Sequence, residues 1–119
     1  MTRSLLLASC CFILAAPMAA HHGDTNFELT KEFSVSGVVT EFRFVNPHVL
    51  ITLEVPDTGG TVAKWMAQGT SPNMLVHRGW NSTMLKAGDK ISLTGNRARN
   101  GANAMKVGKV LLDGKDLNH

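Results

Sequence analysis

The sequence predicts an all-β domain, a small five-stranded Greek-key barrel of the OB type with one short helix between strands three and four. Three observations predict it. Apolar residues recur at every second position in five segments between residues 33 and 112. The first segment changes parity partway along, as a bulged or sharply bent strand does. One segment between the third and fourth carries helix signals instead.

In the first segment Phe33, Val35, Gly37 and Val39 share one face, and Phe42 and Phe44 resume on the other parity. Asn46-Pro47 then turns the chain, because proline fixes φ and disfavours helix before it. The second strand follows with Val49, Ile51, Leu53 and Val55 on its buried side. After the turn Pro56–Gly60, the third strand sets Ala63, Trp65 and Ala67 opposite Val62, Lys64 and Met66. Ser71 then stands where an N-cap belongs, Pro72 at the first helical position and Gly79 where a C-terminal glycine closes a helix. Ile91 and Leu93 face inward on the fourth strand, and the fifth runs to a turn at Asp113-Gly114.

The first twenty residues have another character. Arg3 gives a positive start, Leu5 to Ala16 an apolar run too short to span a bilayer, and Pro17-Met18-Ala19-Ala20 a small-residue exit. This is the layout of a secretory signal peptide. It predicts a leader over residues 1–20, cut after Ala19 or Ala20, and a domain over residues 21–119 with a histidine-containing N-terminal arm. The expected location is periplasmic or secreted, with no stable membrane anchor after cleavage. Cys10 and Cys11 both fall in the leader, so the mature chain would hold no thiol for disulfides, zinc or cysteine catalysis. The formal charge is +3 for the whole chain, and +2 without Arg3, a mild excess rather than the dense basic stripe of a nucleic-acid binder. No nucleic-acid partner is expected on that ground.

The candidate chemistry lies in histidines. Cleavage after Ala20 would leave His21 with a free amine and imidazole able to chelate one ion; cleavage after Ala19 would place His21 and His22 second and third, where amine, amides and imidazole can wrap a square plane. Either cut suits Cu(II), which heads the divalent affinity order and favours tetragonal nitrogen geometry. His48 shares parity with Leu50, Thr52 and Glu54, away from the core, and is a further candidate ligand beside a turn. The candidate metal set is therefore His21, His22 and His48, with copper as the cofactor; the plain alternative is a solvated arm and a surface histidine. His77 is accounted for by the C-terminal end of the helix dipole. Trp65, Met66, Met74, Trp80, Met84 and Met105 read as core filling. Arg97, Arg99, Lys106 and Lys109 surround the loop before the last strand; they allow an anionic ligand, but a solvated hairpin explains them more simply.

No nucleophile with a base and an orienting group is legible, nor a phosphate loop or a zinc-protease motif, so the sequence reads as a binding module rather than an enzyme. Its partner would be a metal ion, with an unidentified small ligand or protein as the second reading.

The segments Ala20-His21-His22-Gly23-Asp24, Ser34–Val55, Ser71–Trp80, Leu85–Gly95 and Leu111–Leu117 together resemble a family of small exported bacterial proteins of unknown function. That family opens with Ala-His-His after its signal peptide and carries Asn-Pro-His, Ser-Pro-Asn and Arg-Gly-Trp segments, as Asn46–His48, Ser71–Asn73 and Arg78–Trp80 do here. The resemblance implies a periplasmic β-barrel and no assigned activity. A looser likeness is to the periplasmic copper-efflux metallochaperone, an OB barrel using His, two Met and Trp, whose Met-x-Met pair this chain lacks.

Overall fold

A computed structural model describes residues 25–118; the leader, the cleavage point, His21, His22 and His119 lie outside the described residues. The elements run β1 (Phe33–Arg43), β2 (Leu50–Pro56), β3 (Val62–Gln68), α1 (Pro72–Val76), β4 (Lys90–Arg97), β5 (Ala104–Leu112) and β6 (Lys115–Asp116). The first five strands form the closed barrel and the helix lies between β3 and β4, as the sequence predicts. The short β6 extends that expectation: Asp113 and Gly114 take φ values of 49° and 80°, and this turn folds the chain back so that Lys115 and Asp116 pair with Leu112 and Leu111.

Closure depends on β1 serving two neighbours. Its first half, Phe33 to Val38, pairs antiparallel with β4, and its second half, Val38 to Arg43, with β2. The register slips between Val39 and Glu41, which is the bulge that the parity change predicts, and it turns Phe42 inward opposite Ile51. Gly37 sits at the handover. A Cβ there would overlap the carbonyl oxygen of Glu54, so only glycine lets β1 cross β2 this closely. The parallel pairing of β3 with β5, Met66 to Gln68 against Ala104 to Lys106, completes the barrel.

The alternating positions meet inside. Val39, Val49, Ile51, Leu53, Leu93 and Met105 are the largest fully buried side chains, with Trp65 and Ala67 beside them. Each such aliphatic side chain contributes about 1.5–3 kcal/mol when removed from water. Two of the methionines depart from the core-filling expectation: Met66 is 48% and Met74 51% exposed, because Met66 lies on the outer parity of β3 and Met74 on the solvent side of α1.

The helix closes one end of the barrel. The Ser71 hydroxyl accepts from the Met74 amide at 3.3 Å, and Pro72 occupies the first turn. At the other terminus the Gly79 amide donates to Val76 and the Trp80 amide to Leu75, the paired bonds of a Schellman ending, with Gly79 at φ 84°. The ending drops Trp80 onto the core, where it is 4% exposed, packs its ring against Phe42, and donates Nε1–H to the Leu117 carbonyl at 2.9 Å. Further on, the Asp89 carboxylate accepts from the Lys86 amide and ammonium, at 2.9 and 3.0 Å. The same turn meets β1, since the Val39 amide donates to the Asp89 carbonyl.

Two glycines separate backbone strain from collision. Gly79→Ala, with open space around it, should cost about 1 kcal/mol through its positive φ alone. Gly37→Ala must move a backbone carbonyl and should cost about 2 kcal/mol or more. Urea denaturation of both variants checks the order; equal losses would remove Gly37 as the point of closure.

The hydrogen bonds from Lys86 hold the Asp89 carboxyl below its ordinary value of 3.8. A depressed acid stabilises the fold above its unfolded pKa and loses that contribution as the pH falls through the folded value. Acid titration of stability should therefore show a steeper loss below about pH 4 in the natural chain than in Asp89→Asn.

Candidate binding surface

In OB barrels the ligand surface is the outer face around β2 and β3 with the loops that flank it. Here the register of β1, β2 and β3 lines up Val38, Glu54 and Lys64 in one row, Glu41, Thr52 and Met66 in the next, and Arg43, Leu50 and Gln68 in the third. The charges on this face balance: Glu41 and Arg43 approach to 3.9 Å, and Glu54 stands opposite Lys64. The rings of the described residues are turned elsewhere. Phe27, Trp65 and Trp80 are buried, and Phe33, Phe42 and Phe44 are partly buried against the core.

His48 is half-buried in the loop between β1 and β2, directly after a cis Asn46–Pro47 bond. Among the described residues no three His, Cys, Asp or Glu side chains converge on a metal position. His77 is the C-cap residue of α1 and is exposed.

At the opposite rim the chain that follows the arm is fastened to the barrel. Phe27 is 8% exposed and bridges to Ala98. The Glu28 amide donates to Arg97, the Arg99 amide to Asn26, and Arg99 Nε to the Phe27 carbonyl at 2.9 Å. Asn96 Nδ2 donates to the carbonyls of both Glu28 and Lys31, at 3.1 and 3.0 Å. The backbone from Asn26 to Lys31 is thereby part of the barrel.

This segment frames the feature that the sequence reading missed. Arg97 was expected in a solvated hairpin; instead its guanidinium lies over the rings of Phe33 and Trp65, 5.3 and 5.1 Å from their centroids. The rings themselves stack at 5.4 Å. The signal was present, because Ile91, Leu93, Gly95 and Arg97 share the inward parity of β4, and β4 ends at Arg97 where the barrel opens. Among the described residues Arg97 has no carboxylate partner; its Nη2 donates to the Gly101 carbonyl at 3.4 Å, and its Nε is buried without an acceptor. A cavity of about 280 Å³ opens beside it, lined by Glu28, Lys31, Glu32, Phe33, Arg97, Ala98 and Arg99. On another wall Val38, Pro56, Val62 and Leu111 line an open groove of about 470 Å³, with the hydrogen-bonded Ser36 and Ser92 hydroxyls at its side.

Comparison with solved structures agrees with the barrel. Two crystal forms of the mitochondrial single-stranded DNA binding protein Rim1 from S. cerevisiae align with TM-scores of 0.52 and 0.51. Their identities are 11% and 9%; the alignments cover 69% of this chain and 92% and 91% of theirs. A chain of yeast Stn1 and Ten1 aligns at TM-score 0.45 and 13% identity, over 73% of this chain and 48% of that one. At these identities the Rim1 likeness speaks for the fold alone. No curated protein matches the chain. A family model described as a family of unknown function (DUF6152) matches residues 10–107.

Magnitudes decide what Arg97 does for stability. Two ring contacts contribute about 0.5–1 kcal/mol each, whereas an orphaned buried N–H costs about 1–3 kcal/mol, so the sum lies near zero. Arg97→Met, which keeps the bulk over the rings, should leave the unfolding free energy from urea titration within about 1 kcal/mol of the natural protein. A loss of 3 kcal/mol or more would make Arg97 a structural plug.

Proposed function

The chain belongs to the family of unknown function DUF6152, and on that footing we propose that it is an exported, non-catalytic OB-barrel binding module that carries Cu(II) at the start of its mature chain. The observation that supports this reading is the anchoring of residues 26–31: histidines at positions 21 and 22 stand a few residues ahead of a buried Phe27 and a set of backbone hydrogen bonds. With no convergent ligand set among the described residues, the ion would take its principal ligands from the arm, the α-amine and the imidazoles of His21 and His22. His48 adds a nitrogen if the arm reaches the loop between β1 and β2.

The outer face argues against a nucleic-acid role. Single-strand binders combine a positive groove with exposed aromatic platforms. The face of β1 to β3 offers balanced charge, and the described rings are buried or packed against the core. The second reading, a small ligand or protein partner on the barrel without metal, is favoured by the cavity at Arg97.

The copper reading is tested by calorimetry and electron paramagnetic resonance on the processed protein, the same chain with its α-amine acetylated, and His48→Ala. An α-amine with a pKa near 8 and imidazoles near 6.5 both yield to copper at neutral pH, so acetylation should weaken binding at least tenfold and change the spectrum. Equal affinity and identical spectra would sink the amine site, and a change confined to His48→Ala would move it to the barrel. Chelation should leave the melting midpoint unchanged, since the core is built without the arm.

A further inference from the structure

We infer that the cavity beside Arg97 is a binding site for a single carboxylate group. The inference rests on the barrel mouth alone and is independent of copper on the arm.

Arg97 is a cation already held in place. It lies over two stacked rings, no carboxylate among the described residues neutralises it, and its only polar partner there is one long hydrogen bond to Gly101. Its Nε has been desolvated without an acceptor. A guanidinium in that condition gains more from an incoming anion than a fully solvated one does, because its Nε is already desolvated and its side chain already held against the rings. The planar fork of an arginine matches a carboxylate in two parallel hydrogen bonds.

The cavity sets the charge and size of the ligand. Lys31, Arg97 and Arg99 line it together with Glu28 and Glu32, three cations against two carboxylates. Part of that balance is internal, since Glu28 accepts from Thr30 at 3.0 Å and lies 3.9 Å from Arg99. The remaining excess of one positive charge suits a monoanion and disfavours a phosphate dianion, which would meet Glu32 across the same space. A volume of about 280 Å³ admits a short acid, or the terminal residue of a peptide, with its carboxylate on Arg97 and its apolar part against Phe33.

The test is a titration of the ¹⁵N-labelled processed protein at constant ionic strength, following the Arg97 Nε–Hε resonance. Propionate should move it saturably with a Kd on the order of 1 mM, propionamide should not, and inorganic phosphate should bind more weakly. A tripeptide with a free C-terminus, run against its amidated form, separates a peptide end from a free acid. Arg97→Met should abolish the saturable response, read from neighbouring backbone amides, and Glu32→Gln should tighten propionate binding about threefold. A linear response shared by acid and amide, or saturable binding that survives in Arg97→Met, would overturn the assignment. Should Arg97→Met fail to fold, the Glu32→Gln comparison decides it: unchanged affinity there overturns the assignment as well. The copper titration of the same samples is a separate readout, so either site can fail without the other.

Discussion

The close crossing of β1 over β2 is the constraint on which the rest of the molecule depends. One strand must pair with β4 along its first half and with β2 along its second, and it can do so only by bending between two ladders. Gly37 removes the side chain that would collide at the crossing, and the bulge after Val39 resets the facing so that Phe42 enters the core. With that bend in place β3 and β5 meet in parallel and the barrel has no wide gap to fill. Trp80, delivered by the Schellman ending of α1, then seals one end.

This economy shapes the surface. A domain of about one hundred residues has few large side chains to fill its centre, and here the described rings are spent on the core and the two ends of the barrel. Phe42, Phe44 and Trp80 gather at the helix end, and Phe33 and Trp65 at the other. The outer rows of β1 to β3 carry charged pairs, a buried Thr52 and the exposed apolar side chains of Val38 and Met66. The likeness to Rim1 is a likeness of architecture alone.

The rim near Arg97 is where structure and function press on the same residues. The segment that follows the arm is hydrogen-bonded to β4 and to the loop before β5, so that rim is built from three separate stretches of sequence. An arginine placed inward among aromatic rings, with a buried nitrogen left unpaired, adds little to stability by the magnitudes available. Natural sequences keep such local conflicts where function needs them, which is why the proposed carboxylate site is placed there.

The barrel class, the strand faces and the helix caps were legible in the chain, because each follows from short-range rules: alternation with period two, a parity slip at Val39 to Phe42, and Ser71, Pro72 and Gly79 at their positions. The sequence did not separate Met66 and Met74 from Met105, since apolar character alone does not say which methionines the fold leaves in water. Nor did it single out Arg97, whose parity was legible but whose charge suggested solvent. Its setting comes from the closed barrel, which stacks Phe33 from the start of β1 on Trp65 from β3 beneath the guanidinium at the end of β4. Contacts between residues more than thirty positions apart arise from closure of the barrel, and no local pattern encodes them.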